Sequence, residues 1–453
     1  MAGRYKPYSE YKDSGVEWLG EIPRCWTVSK IKFIAPYQVG WTPPTKSDAN
    51  FEGENLWANI SDLREKVIYN TAKKISDAAA EAASMEVTPA GSLMYSFKLS
   101  VGAVSFAGND MYTNEAIASF LDVAELPLRY LYYVLPKFVI ENASTNIYGA
   151  RILNQELISN AMMLAPSFRE AEKIANFLDH EIAKIDTLIE KQQQLIQLLK
   201  EKRQAVISHA VTKGLSSLDG GPNAKLRDSG VEWLGEVPEH WTVCRIKQVA
   251  KLESGHTPDK KIDAYWVDCD IPWVSLNDSS QLKEVDYISD TSIYLNEKGI
   301  ANSSARKLPE RCVVFTRDAS IGLAAITTRV MAVSQHIIAW ICANEKVIPE
   351  YLLLVFYAMK DELERYTFGA TLKTIGMPDV NKLTAAFPCL EEQKHIIERV
   401  FKVREKFDLL ILRAEDAIKI IKERRTALIS AAVTGKIDVR DWVAPPTSPT
   451  PGK

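Results

Sequence analysis

The chain has 453 residues, 46% of them hydrophobic and 25% charged, a globular composition with room for two to four domains. Its net charge of −3 excludes a protein that grips nucleic-acid phosphates by bulk positive charge. Six scattered cysteines (Cys25, Cys244, Cys269, Cys312, Cys342, Cys389) form no CxxC pair. That spacing argues against a disulfide scaffold or zinc ribbon and for a reducing, cytoplasmic setting.

In chain order, the first residues (MAGRYKPYSEYKD) carry no apolar segment of the signal-peptide kind, and no run of about 18 apolar residues follows anywhere. Residues 13–35, DSGVEWLGEIPRCWTVSKIKFIA, recur 215 positions later at 228–250 as DSGVEWLGEVPEHWTVCRIKQVA. A second anchor, KEKRQAVISHAVT at 200–212, recurs 222 positions later at 422–434 as KERRTALISAAVT. The chain is therefore a tandem duplication. Between the anchors identity thins but landmarks persist. Gly40-Trp-Thr-Pro43 answers Gly255-His-Thr-Pro258, Trp57 with Asp62 answers Trp273 with Asp278, and Pro89 with Ser100-Val-Gly102 answers Pro309 with Ser320-Ile-Gly322. Gly149-Ala150 answers Gly369-Ala370. One scaffold carrying different side chains is what two readers of different targets require.

After each variable segment comes a long helical stretch, opened by Pro166 or Pro388. In the second, apolar residues alternate at spacings of four and three: Ile396, Val400, Val403, Phe407, Leu410, Ala414, Ala417, Ile421, Leu428, Ala431. The first runs in register through Ile174, Leu178, Ile185, Leu188, Leu195, Leu199 and Val206. A 3.5-residue period sustained over roughly 40 residues predicts a coiled-coil rod of about 60 Å. Two rods in one chain, in matched register, can pair antiparallel. The expected class is α+β: two α/β recognition domains separated by two long antiparallel coiled-coil helices, a pseudo-twofold tandem repeat. The expected segments are a conserved block at 1–35, a first recognition domain at 36–165 and a first long helix at 166–214. A linker with the repeated block follows at 215–250, then a second recognition domain at 251–387 and a second helix at 388–435. The tail is 436–453, and its proline-rich end APPTSPTPGK is expected to be disordered.

These residues resemble a family, the specificity subunits of Type I restriction–modification systems. The features that carry the resemblance are the DSGVEWLGE-I/V-P-x-x-W block, the Gly-x-Thr-Pro turn and the Ile271-Pro-Trp-Val274 strand. To these add the helix start Pro388-x-x-Glu-Glu-Gln-x-x-Ile396 and the repeated helix end AVISHAVT/ALISAAVT, so that the resemblance spans about residues 5–442. It implies that each variable segment is a target-recognition domain reading one half of a bipartite, asymmetric site in double-stranded DNA. It also implies that the helices set the spacer and dock two methyltransferase subunits, which the restriction and translocase subunits join. S-adenosylmethionine, ATP and Mg2+ would then belong to partners, with no cofactor in this chain. One departure is that Arg169-Glu170-Ala171-Glu172 stands where the second half has Glu391-Glu392-Gln393-Lys394, which puts the symmetry of the two helix starts in doubt.

No catalytic set is expected. The chain lacks the cofactor glycine loop and Asn-Pro-Pro-Tyr-like clamp of an adenine methyltransferase. Gly40-Trp-Thr-Pro-Pro-Thr-Lys46-Ser47 is a poor phosphate loop, because two prolines remove backbone donors. Asp379, Glu392 and Lys394 resemble a metal-dependent nuclease set, but in the first half Leu157 and Glu172 answer Asp379 and Lys394. The histidines 180, 209, 240, 256, 336 and 395 have no metal-ligand spacing. A self-contained nuclease and a protein-binding adaptor stay open as alternative readings.

Base edges in the major groove are read by polar and cationic side chains. In the first domain the candidates are Trp41, Thr42 and Lys46; Asn59, Ser61 and Asp62; Lys98 and Ser100; Asn146, Tyr148 and Arg151. In the second they are His256, Thr257, Lys260 and Lys261; Asn277 and Asp278; Arg317 and Asp318; Gln335 and His336; Thr371, Lys373 and Thr374. For partner docking the candidates are the helix residues Ile185, Leu188, Leu195, Leu199, Phe407, Leu410, Ile421 and Leu428. Both variable segments hold more acids than bases, so either the basic residues cluster on one face or partners supply most phosphate contacts.

Overall fold

The repeated block folds the same way in both places. Tyr11–Asp13 pairs antiparallel with Glu21–Pro23, and Leu226–Asp228 pairs with Glu236–Pro238 in the same register. The tryptophan closing each block, Trp26 or Trp241, is buried. Its indole N–H donates to a carboxylate in the first turn of a long helix, at 2.8 Å to Glu170 and at 3.0 Å to Glu392. The helix starts therefore share their working residue despite the differing sequence around it. What differs is the next position: Gln393 is buried and its amide bonds Ile348, Lys346 and Pro388 backbone groups, where the first half has a buried Ala171.

The computed structural model describes residues 5–98, 100–145, 151–215, 225–368 and 373–444. The candidates Asn146, Tyr148 and Thr371, the Gly149-Ala150 and Gly369-Ala370 landmarks and the tail from 445 onward lie outside the described residues. By internal packing the chain divides into two units, residues 1–191 with 417–453 and residues 192–416. In each, a strand of the repeated block meets the last strand of the variable segment: Thr27–Lys30 with Met162–Ala165, and Thr242–Arg245 with Thr384–Phe387.

Each unit holds a five-stranded sheet of one topology. In the first unit the spatial order is Tyr37–Val39, Ile117–Phe120, Leu93–Ser96, Val104–Ala107, Val67–Ile68. In the second it is Ala250–Ser254, Ile337–Cys342, Val313–Thr316, Ala324–Thr327, Tyr287–Ile288. All neighbours are antiparallel except the last pair, which is parallel in both. The central strands, LMYS and VVFT, are buried throughout, as expected of strands covered on both faces. A smaller three-stranded sheet repeats likewise: Tyr112–Thr113, Asn55–Ala58 and Lys73–Ile75, answered by Ala332–Val333, Ile271–Val274 and Tyr294–Leu295. A buried helix, Leu128–Phe138 or Pro349–Ala358, belongs to the main core of each unit.

The long helices run Phe168–Lys213 and Leu390–Val433, each beginning two residues after its proline. Within each unit the helical segments pair antiparallel. In the first unit Arg425 Nε donates to Asp186 at 2.9 Å, and Lys173 reaches the Arg440 carbonyl beyond the second helix. In the second unit Arg203 bridges to Asp408, and Gly214, just past the first helix, lies beside Glu392 at the start of the second. These two ion pairs are one bridge written twice, because Asp186 and Arg203 correspond to Asp408 and Arg425 at the 222-residue repeat.

Two docking candidates are corrected by this packing. Ile185 and Leu428 are only 6% and 3% exposed and close the core of the first unit, so they are not free to meet a partner. Leu199, Phe407 and Ile421 are half-buried, whereas Leu188, Leu195 and Leu410 remain exposed. The apolar period marked all eight positions but could not say which of them the chain's own domains would cover.

Each recognition domain is tied to its helix by an ion-pair cluster around a half-buried aspartate, and the charges are reversed between units. In the first, Asp179 on the helix accepts from Lys66 and Tyr133 at 2.6 Å and from Arg129 Nε at 3.0 Å. In the second, the helix supplies the cation: Arg404 donates to Asp286 at 2.9 Å, and Tyr357 does so at 2.8 Å. Burial pushes the Asp179 carboxyl up, but its bonds from Lys66, Tyr133 and Arg129 outweigh that and hold it below the usual range. A carboxyl lowered by folding adds stability that is present above its unfolded value, about 3.9, and lost as pH falls through the lowered one. The urea midpoint of the first unit should hold steady from neutrality to about pH 4 and fall below it. Asp179→Asn should start lower and fall less, and an equal acid loss in wild type and variant would refute the assignment.

Candidate nucleic-acid interface

The Gly-x-Thr-Pro turn is built by close approach of two backbones. A Cβ on Gly40 would stand 1.8 Å from the Thr113 carbonyl oxygen, and one on Gly255 would stand 1.7 Å from that of Val333. Only glycine fits there. The next residue clamps the turn at both ends. The backbone N–H of Trp41 donates to Thr113 at 2.9 Å, and that of His256 to Val333 at 3.1 Å. Their carbonyls accept the indole N–H of Trp57 at 3.0 Å and of Trp273 at 3.2 Å. With the backbone held this way, the Trp41 and His256 side chains stay exposed, and Lys46, Lys260 and Lys261 follow on the same exposed loops. Thr42 donates to Glu115 on the neighbouring loop, and Thr257 holds the equivalent place.

A second loop follows the tryptophan strand and is a capping box in both units. Asn59 accepts from the Ser61 backbone while Asp62 accepts from the Asn59 backbone. Ser275 and Asp278 repeat the arrangement. Asp278 is therefore corrected as a base-reading candidate. It is 1% exposed, and its carboxylate accepts backbone N–H groups of Ser275 at 2.9 Å and Ser292 at 2.7 Å. Asp62 makes the matching bonds to Asn59 and Ala72. Asn59 likewise uses its side-chain oxygen on Ser61. Ser61 and Asn277 are left exposed as the outward groups. Asp278→Ala should cost about 2 kcal/mol through the orphaned donors and impair the second recognition surface alone. Thermal unfolding and half-site methylation would report both, and a normal second half-site would count against the scaffold role.

The third cluster is at the sheet end. In the second unit Ala319 N donates to Lys373 O, Ile375 N donates to Arg317 O, and Asp318 bridges Thr374, so strands distant in sequence converge. Ala319 sits at φ +63, a left-handed conformation that costs a non-glycine residue about 1–3 kcal/mol and is held by these neighbours. Asp318 is buried and accepts from His336 Nδ1 at 2.6 Å, and Arg317 Nε lies 3.7 Å from the same carboxylate. Gln335 and Lys373 are exposed at the rim. In the first unit the corresponding rim carries exposed Lys98, Ser100, Glu115 and Arg151, the last beside Glu141 at 3.6 Å. Glu115 was missed by the sequence reading. It answers Gln335 at the 220-residue offset, a signal that was available.

The residues that resembled a nuclease set serve separate partners. Glu392 takes Trp241 and His240, Lys394 pairs with Glu391, and Asp379 pairs with Lys382. Among the described residues no group of three His, Cys, Asp or Glu could hold a metal ion, and no helix is long and apolar enough to cross a membrane.

The model of the Type I restriction modification DNA specificity domain matches this chain twice, at residues 23–198 and 238–419. The chain belongs to that family. The two matches fall one on each copy of the repeat, so this specificity chain carries the domain in tandem. It is 24% identical over 97% of its length to the MjaIX specificity subunit of Methanocaldococcus jannaschii, of which it covers 99%. To the EcoBI specificity subunit of Escherichia coli it is 23% identical over 70% of its length, covering 67% of that relative. Among solved structures, it resembles the HsdS subunit of Thermoanaerobacter tengcongensis with a TM-score of 0.52 at 13% identity, covering 92% of this chain and 98% of that one. A chain from a study of complex assembly and conformational transition of the type I R-M system gives a TM-score of 0.64 at 14% identity, covering 92% and 99%. These likenesses support the same α+β fold with tandem domains and long helices. As a family member, the specificity chain supplies DNA sequence specificity to a Type I restriction–modification system.

Proposed function

We propose that the chain reads a bipartite, asymmetric site in double-stranded DNA and performs no chemistry of its own. The observation that carries this reading is one loop framework built twice with different side chains on it. The glycine turn and the capping box recur, while Trp41 answers His256, Ser61 answers Asn277, and Glu115 answers Gln335 in the repeat. Direct readout depends on such outward groups, and phosphate contacts only position them. The reading surface of the first unit is Trp41, Thr42, Lys46, Ser61, Lys98, Ser100, Glu115 and Arg151. That of the second is His256, Thr257, Lys260, Lys261, Asn277, Arg317, Gln335, Lys373 and Thr374.

Two methyltransferase subunits dock on the parts that did not diverge, and restriction subunits join through them. A groove of about 270 Å³ in the first unit is lined by Trp18, Glu141, Ser430 and Thr434. Its counterpart of about 470 Å³ in the second is lined by Trp233, Asp361, Ser208 and Thr212, which answer them at the repeat offsets with an aspartate in place of the glutamate. A surface preserved twice suits one partner bound twice. The exposed Leu188 and Leu410, which also correspond, extend the same argument along the helices. S-adenosylmethionine, ATP and Mg2+ act in those partners, in the cytoplasm.

The deciding experiment expresses the chain with its methyltransferase and maps N6-methyladenine across the host genome. A single motif of two fixed half-sites around an unspecified spacer, near one helical turn of DNA, is the expected result. Absence of any split motif would refute the reading. The isolated chain should bind duplex weakly and lose affinity steeply with salt, because its own charge is negative. Nanomolar binding by the chain alone at physiological salt would overturn the division of labour.

A further inference from the structure

Resting on that reading, we infer that the position shared by Glu115 and Gln335 reads one base in each half-site, with adenine as the code of Gln335 and cytosine as that of Glu115. Both residues are exposed and sit in the same loop, between a short strand of the smaller sheet and a central strand of the larger one. Their surroundings set what each can offer a base.

In the second unit a relay fixes the amide. The Asp318 carboxylate, 6% exposed, only accepts hydrogen bonds, so His336 Nδ1 at 2.6 Å carries the proton between them. Gln335 Nε2 stands 3.3 Å from His336 Nε2, and because an amide nitrogen can only donate, the ring nitrogen accepts in that bond. One amide hydrogen is taken inward. The other, beside the carbonyl oxygen, faces outward as a donor next to an acceptor. That pair complements the major-groove edge of adenine, which presents the N7 acceptor and the N6 amino donor. Asp318 and His336 are thus positioning residues, and the strained backbone at Ala319 holds the carboxylate beneath them.

In the first unit the relay is absent. Buried Ala116 stands where His336 does and Lys98 stands where Asp318 does. Glu115 instead takes the Thr42 hydroxyl on one side and presents a carboxylate, an acceptor without a donor. It cannot satisfy adenine N7, and it matches the N4 amino group of cytosine.

The test is a reciprocal exchange in the chain co-expressed with its methyltransferase, read as the methylated motif. Gln335→Glu should change one adenine of one half-site toward cytosine, shifting the preference at that position by about tenfold or more. The other half-site should stay unchanged. Glu115→Gln should make the opposite change in the other half-site. Asp318→Asn should relax only the adenine position that Gln335→Glu alters, an effect that general loss of stability would not confine to one base.

Because a variant can fail to assemble, the wild-type complex is also tested by competition with duplexes carrying 7-deazaadenine in place of each half-site adenine in turn. Loss of about tenfold in binding at one of them is expected. Equal binding by all the substituted duplexes, or motifs unmoved by both exchanges while methylation persists, overturns the inference and leaves the functional reading standing. A wild-type complex with no split motif overturns the functional reading itself.

Discussion

Glu170→Ala should lower the stability of the first unit by roughly 3–5 kcal/mol, the largest single-residue effect expected in this chain. The carboxylate is 7% exposed and accepts from the Trp26 indole at 2.8 Å and the Tyr8 hydroxyl at 2.7 Å. Both donors are themselves buried. Removing the acceptor strands them without water. Burial first, and then the bond to Glu170, already push the Tyr8 phenol well above its ordinary range, so it cannot ionise to relieve the loss. Glu170→Gln keeps one acceptor and should cost less than half as much. Among the described residues the second side-chain bond to Glu392 comes from the exposed His240 and not from a buried tyrosine, so Glu392→Ala should cost less than Glu170→Ala. Calorimetry with hydrogen exchange resolved to each unit would read the difference. An unchanged melting temperature in Glu170→Ala would end the argument, since a loss of this size in a unit of this length moves the midpoint by roughly 10 °C.

Gly255→Ala is the second large effect, and it falls on recognition. The added methyl would meet the Val333 carbonyl oxygen at 1.7 Å and the Ser334 carbonyl oxygen at 2.7 Å, both backbone atoms that cannot rotate away. The turn must lift, taking the His256 and Thr257 side chains off the Gln335 loop. Such overpacking costs about 1–3 kcal/mol or more in stability. The functional loss should exceed that cost, because the reading groups of two loops are displaced together. Methylation directed by the second half-site should fall by about tenfold or more, while thermal unfolding shows a still folded unit. Gly40→Ala should do the same to the first half-site through Thr113. If either variant methylates its wild-type motif at full rate, the turn does not position the reader.

Much of this was legible beforehand because duplication is a one-dimensional fact. The two offsets located equivalent residues without coordinates. They placed the helix starts after Pro166 and Pro388, and they make Asp186 and Arg203 the equivalents of Asp408 and Arg425, although that these residues pair came only from the structure. The glycine turn and the tryptophan strand were recognisable as landmarks, though the reason for the glycine is a carbonyl more than 70 residues away. Where the reading failed, the deciding quantity was burial. Asp278 looked like an outward polar loop residue, and the capping box turned it inward onto backbone donors. Ile185 and Leu428 lay on the expected seam but were covered by their own domain. Glu115 answers Gln335 in the repeat, but only its exposure in the folded unit and its bond from Thr42 set it among the outward groups.

The sequence by itself determined the repeat, the register of the long helices and the family, since each depends on which residues recur and at what spacing. Tertiary structure alone decided which side chains face outward, and which carboxylates hold the scaffold rather than a base. Those outcomes depend on contacts between segments far apart in the chain, as where Lys373–Ile375 closes over Arg317 and Ala319. The same physics accounts for the reversed ion pairs at Asp179 and Asp286: opposite charges must meet across the domain–helix contact, but either side can supply the acid.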